Sequence, residues 1–451
     1  MFKRYRETLT VHRNRESVRT KLHRVATRAQ RQPKSKFSSL YHLIDKELLR
    51  DCFGQLRSDA AAGIDQITKE QYSQELEQKL PALKEQLQRM AYVPQPVKRK
   101  YIPKPGSTKH RPLGIPTLED KLVQSCVVRI LEPIYEQDFI EDSYGFRPGH
   151  GCHSALRSLS QTVESRQVNW IVEADIKGFF DHVSHDWMIK FLEHRLEDKR
   201  IIRLIKRFLK AGVVEDKNWY ESKRGTPQGG VLSPLLANIY LHYVLDLWFM
   251  KKFRRKCRGI ARLIRYADDF VVCFSFQAEA TQFLQELKQR LVKFGLEVEP
   301  SKTKVIAFGP HAANYAKQVG RRKPETFDFL GLTHYCSRSF KGTRFRMKRK
   351  TSRQRFRAKL AAFSQWLKNI RMKLKTREIW EQVQVKLRGH FAYYGVTDNW
   401  EGIVRFAYQV RRLLFKWLNR RGGKRHLSWE KFQLMEKRMP LPKPRIYVKF
   451  F

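Results

Sequence analysis

An α+β core flanked on both sides by cationic, mostly helical segments is the fold class this sequence predicts, and three observations carry it. Charge divides the 451 residues: the first 36 hold 12 Lys/Arg and two acids, while 34 of the 44 acids fall between Ser38 and Ala307. Within that middle stretch, helical and strand-like apolar periodicities alternate. Beyond it, residues 341–375 hold 14 Lys/Arg and no acid, with Phe345, Phe356, Phe363 and Trp366 interleaved.

Taken in order, the elements are justified locally. Leu122, Val123, Cys126, Val127, Ile130, Leu131 and Ile134 recur at helical spacing and trace one face. Residues 170–176 and 264–276 are rich in β-branched and aromatic side chains and predict strands. Residues 225–245 carry no charge, and from Val231 to Met250 Asp246 is the only acid before Met250. Ser233, Pro234, Asn238 and His242 make that stretch one-sided, so it predicts a buried core helix with Ser233 as N-cap and Pro234 at the first position, not a membrane span. The stretch from Arg411 to Arg445 is again basic, and Pro440, Pro442 and Pro444 predict an extended end. No apolar signal segment is expected at the N-terminus, and Glu7 and Glu16 count against an organellar presequence.

Composition limits the function. With 91 Lys+Arg against 44 Asp+Glu the formal net charge is +47, yet 41% of residues are hydrophobic and 12% aromatic. Such a chain buries a core, so a disordered basic tail is excluded, as is an ordinary enzyme of small neutral substrates. A self-repelling compact body points to a polyanion partner, with nucleic acid ahead of an anionic membrane. Six cysteines without a C-x-x-C pair give neither a zinc ribbon nor a disulfide framework, and predict free thiols in a reducing compartment. There is no Walker A loop, H-E-x-x-H, G-x-S-x-G or G-x-G-x-x-G.

The chemistry concentrates on carboxylates set in apolar strands. Trp170-Ile-Val-Glu-Ala-Asp175 places Asp175 at a strand end, and Leu263-Ile-Arg-Tyr266-Ala-Asp268-Asp269-Phe270 places two acids at a predicted hairpin tip. Buried acids are costly and adjacent carboxylates repel, unless a multivalent cation offsets both. Three acids from two strands suit two Mg²⁺ ions about 4 Å apart.

Tyr-Ala-Asp-Asp between strands, about ninety residues after a strand ending in Asp-x-x-x-x-Phe, resembles the reverse transcriptase palm. Gly63-Ile64-Asp65, Ile102-Pro103-Lys104 with Arg111–Pro116, Tyr144–Gly149, Gly225–Pro234, Ser301–Lys304 and Phe329–Gly331 follow in the order of the blocks of a group II intron-encoded reverse transcriptase. Leu387-Arg-Gly-His-Phe-Ala-Tyr-Tyr-Gly395 resembles that family's maturase, or thumb, motif.

The resemblance, which runs from about residue 40 onward, implies a right-hand fold with fingers, an antiparallel-sheet palm and a helical thumb. It implies the divisions 1–36 (basic arm), 37–335 (fingers and palm), 336–410 (thumb, maturase domain) and 411–451 (basic DNA-binding region). It implies Asp175, Asp268, Asp269 and Ile176 at the metals, Lys302 as proton donor to pyrophosphate, and Lys104 and Arg111 on the triphosphate. Phe180 would exclude a 2′-hydroxyl, Gln228 would line the nascent pair, and Phe329, Leu330 and Gly331 would hold the primer end. Expected partners are intron RNA, an RNA template, a DNA primer or target and dNTPs, in a bacterial cytoplasm at the nucleoid rather than in an organelle. The histidine-and-cysteine endonuclease of larger relatives is expected to be absent, since no cysteine follows Cys336. The maturase block departs from the pattern in reading Gly-His-Phe, which bears on splicing. Three alternatives stay beside the polymerase: a splicing-only maturase, an RNA-templated RNA polymerase that shares the palm, and a host-recruited repair or defence reverse transcriptase.

Overall fold

The structure, a computed structural model, describes residues 2–103, 110–216, 218–339, 342, 344–421 and 426–450, with side chains from residue 17 onward. Its first helices are α1 (Phe2–Arg31), α2 (Lys46–Gln55), α3 (Lys69–Gln74) and α4 (Leu76–Gln88). Their starts follow the sequence: the Asp45 carboxylate accepts from the Leu48 amide, and Thr68 with Gln71 forms a capping box. Two strands, β1 (Val97–Pro103) and β2 (His110–Ile115), pair antiparallel before α5 (Leu118–Tyr135). The predicted apolar face of α5 is buried, and α1 and α2 lie across it.

After α6 (Cys152–Glu164) come β3 (Trp170–Asp175), the short α7 (Phe179–His182), α8 (His185–Glu193) and α9 (Lys199–Lys210). Next, β4 (Val213–Glu215) and β5 (Asn218–Tyr220) extend the first pair into a four-stranded sheet, β2-β1-β4-β5. The chain then enters α10 (Ser233–Leu241), which winds on through π-helical turns to Phe253. It is the buried core helix expected, and no described helix is long and apolar enough to cross a membrane. The cap differs from expectation. Leu232 holds the N-cap position, and Ser233 is the first helical residue because its hydroxyl is drawn to the Pro227 carbonyl at 2.8 Å.

The central sheet follows from β6 (Ala261–Tyr266), β7 (Asp269–Phe274) and, beyond α11 (Gln277–Lys293), β8 (Lys304–Ala307). Its order is β6-β7-β3-β8, every pair antiparallel. Alternate residues of β3 and β7 feed two different cores: Val172, Ala174, Phe270 and Val272 join the N-terminal one, Ile171, Val271 and Cys273 the C-terminal one. Burial on both faces explains why these strands read as continuous apolar runs.

A short α12 (Ala312–Gln318) leads to a third sheet, β9 (Phe327–Phe329), β10 (Leu332–Arg338) and β11 (Phe345–Thr351), ordered β11-β10-β9. Three long helices close the fold: α13 (Arg353–Ile370), α14 (Thr376–Tyr394) and α15 (Trp400–Asn419), α15 packing on both others, followed by α16 (Trp429–Arg438). The proline-rich end is extended as expected, and it returns to α14: Val448 bridges Val396, and Phe450 is buried. All six cysteines are free, with Cys52, Cys126 and Cys273 buried.

Candidate active site

The register of the central sheet brings the acids together. In the β3–β7 ladder Asp175 stands directly opposite Asp269, and Asp269 also faces Tyr266 across the β6–β7 hairpin. The hairpin tip is narrower than the sequence suggested: Ala267 and Asp268 alone form the loop, while Asp269 already belongs to β7. Directly opposed residues of an antiparallel pair have Cβ atoms about 5 Å apart, so the two carboxylates share one face of one sheet end.

Ala267 has φ +56°, a left-handed conformation that costs a residue with a Cβ roughly 1–2 kcal/mol. The surroundings impose it. The Arg265 guanidinium, wholly buried, donates to the Ala267 carbonyl at 3.0 Å, to Asp246 at 2.6 and 2.8 Å, to Asn238 Oδ1 at 3.0 Å and to Ser143 Oγ at 2.7 Å. Asn238 Nδ2 in turn donates to the Gly145 carbonyl at 2.7 Å. Gly145 lies so close beneath the loop that any Cβ would strike the Ala267 amide nitrogen. The Tyr144–Gly149 block thus serves as the bed of the carboxylate turn.

Electrostatics mark the place. Burial first, then repulsion from Asp175 and Asp268, pushes the Asp269 carboxyl up to about 7. Asp268 is raised for the same reasons, burial leading, against the opposing pull of Arg111 and Lys302. Lys302 forms an ion pair with Asp175. Its turn is tied to β3, since the Glu299 amide donates to the Asp175 carbonyl at 2.7 Å. The Ile176 side chain is buried, so only its backbone carbonyl can face a ligand. Ladder bonds from Lys177 to Glu297 and from Glu299 to Asp175 flank the Ile176–Val298 pair, which turns the Ile176 peptide toward β7.

Phe180 and Gln228 meet at the same end. The Thr226 amide donates to the Phe180 carbonyl at 2.8 Å, and Gln228 Nε2 reaches Asp181 Oδ1 at 3.4 Å. Gly225 (φ +85°) and Gly229 (φ +113°) let this loop pass where a Cβ would come within 2.8 Å of the Phe180 carbonyl and 2.7 Å of the Gly114 carbonyl. The loop therefore links the Phe180 helix to strand β2, which bears the exposed Arg111. Lys104 lies outside the described residues.

Leu330 and Gly331 form the two-residue turn between β9 and β10, both with positive φ (51° and 76°). The Leu330 amide bonds to the Asp269 carboxylate and lowers its pKa against the larger raising effects. From the other side, the Tyr393 hydroxyl of α14 donates to the Leu330 carbonyl at 3.0 Å. Phe329 is buried. The maturase-like block thus touches the turn that touches the carboxylates.

Sequence reasoning missed the Arg265–Asp246–Asn238 support and the Tyr393 contact. A signal existed for the first: Arg265 interrupts an apolar strand, and Asp246 interrupts an apolar helix. Lone opposite charges in two apolar elements predict each other as partners.

Hard carboxylate oxygens that repel one another suit a hard divalent cation. Even so, no group of three or more His, Cys, Asp or Glu among the described residues is closed up into a ready ligand cluster. Asp175 is engaged by Lys302 instead.

The chain is 32% identical over 355 residues to the group II intron-encoded protein LtrA of Lactococcus lactis subsp. cremoris, covering 66% of this chain and 59% of that protein. It is 36% identical over 239 residues to protein YkfC of Escherichia coli K12, covering 47% and 62%. To the nuclear intron maturase 2, mitochondrial, of Arabidopsis thaliana it is 31% identical over 176 residues, covering 30% and 24%. The chain therefore spans less than two thirds of the length of these relatives. Residues 102–334, just over half of the chain, match one described family across the central sheet and the carboxylate turn. On that match the chain belongs to the reverse transcriptase (RNA-dependent DNA polymerase) family.

Proposed function

We propose that this chain is an RNA-directed DNA polymerase of the group II intron-encoded type. The observation that carries the proposal is the register that sets Asp175 opposite Asp269, with Asp268 in the adjoining turn. In this reading the β2-β1-β4-β5 sheet with its helices forms fingers, the central sheet a palm, and α13–α15 a thumb. The expected divisions (37–335 fingers and palm, 336–410 thumb, 411–451 DNA-binding region) shift to element ends in this reading, because 335/336 falls inside β10 (Leu332–Arg338) and 410/411 inside α15 (Trp400–Asn419).

Asp175, Asp268, Asp269 and the Ile176 carbonyl would hold two Mg²⁺ ions, which when bound activate a primer 3′-hydroxyl and offset charge on pyrophosphate. The chain's own residues do the rest. Arg111 and Lys104 orient the triphosphate, while Phe180 occupies the space that a ribose 2′-hydroxyl needs. Gln228 lies against the nascent pair and Lys302 supplies a proton to the leaving group. Phe329–Gly331 holds the primer end beside Asp269.

Primer extension on an RNA template with Mg²⁺ and dNTPs tests the reading. Synthesis by the native chain, lost to background in Asp268→Asn/Asp269→Asn, is the expected result. A folded, RNA-binding native chain without synthesis overturns it. Ribonucleotide incorporation in place of dNTPs would make the chain an RNA polymerase instead.

A maturase role in binding group II intron RNA is favoured by a separate observation. Tyr393, within the Leu387–Gly395 block, contacts the Leu330 turn of the β9–β10 pair, whose amide bonds to Asp269, so α14 packs against the turn beside the carboxylates. Intron splicing with and without the protein measures that role.

A further inference from the structure

A cavity of about 770 Å³ opens at the end of the central sheet opposite the carboxylates. It lies where β3 begins and β7 ends, five residues of strand, or roughly 17 Å, from Asp175. Its walls come from α6, the chain following the π-helical turns, and the residues after β7.

The lining has one charge sign. Arg254, Arg258 and Arg262 contribute to it, and no acid does. Arg262 is engaged by Asp142 at 2.7 and 2.8 Å and by Thr162 at 3.1 Å, so it belongs to the scaffold. Arg254 and Arg258 make no ion pair among the described residues. Arg254 reaches only the Met250 sulfur at 3.6 Å, and the Arg258 guanidinium lies over the Phe276 ring at 5.4 Å. Phe276 is 45% exposed, so part of its ring stays open on the cavity wall.

Hydrogen-bonding side chains complete the wall. Gln161, Gln167 and Asn169 line it, and the Asn169 carboxamide oxygen is buried without a partner. A buried acceptor left unmet is costly, and a ligand amino group would satisfy it. Guanidinium groups for phosphate, an aromatic–guanidinium pair for stacking and carboxamides for base edges form one recognition set. An acidic peptide would use the cations and leave the ring and carboxamides idle.

We infer that this cavity docks one unpaired nucleotide of a single-stranded nucleic acid, held by Phe276, Arg258 and Arg254, at a site separate from polymerisation. The site goes beyond the polymerase reading and does not depend on it. It would anchor a single strand at this end of the sheet while the carboxylate end is engaged.

Hydrogen exchange on the full chain tests this, using a 20-nucleotide unstructured RNA and the same sequence as DNA. Either strand is expected to slow exchange in residues 254–262 and 275–280, and the stronger of the two identifies the source. Arg258→Ala and Phe276→Ala should each raise the concentration for half protection there about tenfold. Phe276→Trp should restore it. Protection elsewhere, the melting temperature and primer extension should stay as in the native chain. No protection in these segments, or protection unchanged in both alanine variants, overturns the inference. Because primer extension is scored separately, failure here is distinct from failure of the polymerase reading.

Discussion

His242, His334 and His390 are buried away from the carboxylates, and burial sets their charge. It lowers His242 to about 4, and His334 and His390 to about 3. His390 stacks on Phe406 with ring centroids 3.6 Å apart and feels the Lys359 ammonium. His334 feels Arg349. His242 is opposed by Arg265, Lys251 and Arg147, with Asp246 pulling the other way. A histidine whose folded pKa lies below its unfolded value of about 6.5 contributes fully above that value. Its contribution is lost as pH falls through 6.5 toward the folded pKa. At pH 5 each such ring costs about 2 kcal/mol. Chemical denaturation of His390→Phe at pH 7.5 and pH 5.0 should therefore lose about 2 kcal/mol less between the two than the native chain. Equal losses would mean that this ring already takes up a proton in the fold.

At the level of elements, one buried ion pair ties the helix after α10 to the carboxylate hairpin. Arg265 and Asp246 are both fully buried, and removing one partner strands the other's charge. Asp246→Asn should destabilise the chain by about 3–5 kcal/mol in urea unfolding. It should also depress primer extension in the fraction still folded, because Arg265 sets the Ala267 carbonyl. Undiminished stability would show that water reaches the pair. The elements were largely readable beforehand. The apolar face of α5 and the strand over 170–175 are local periodicities and appear where predicted, while the run 264–276 divides into the end of β6 (Ala261–Tyr266), a turn and β7 (Asp269–Phe274). Cap and tip positions were not readable, because a tertiary partner chose them: the Pro227 carbonyl drew Ser233 into the helix. Pairing of Asp269 with Asp175 likewise drew Asp269 into β7.

For the whole molecule, a formal charge of +47 is the dominant fact. Arginine and lysine that neutralise phosphates release the counterions condensed on the nucleic acid, so affinity falls steeply with salt. RNA binding measured between 50 and 200 mM salt should weaken by a factor of roughly 10³ or more. A flat profile would mean that the excess charge faces solvent rather than nucleic acid. The same scale explains how so cationic a chain stays compact. Two apolar cores meet across the central sheet, and among the described residues most basic side chains lie outside them, with Arg147, Arg195, Arg265 and Arg349 buried.

The sequence by itself determined the class of chemistry. Asp175, Asp268 and Asp269 stand out because acids inside apolar strands need a compensating reason, and that reason is legible without coordinates. Motif order carried Phe180, Gln228 and the Leu330–Gly331 turn as a resemblance. Only tertiary structure decided how these parts meet. Strand register, which flips faces with a single-residue slip, set Asp175 against Asp269. Residues far apart in the chain, Arg265 with Asp246 and Tyr393 with Leu330, became the supports of one turn. Such pairings follow from packing in three dimensions, which local periodicity does not encode.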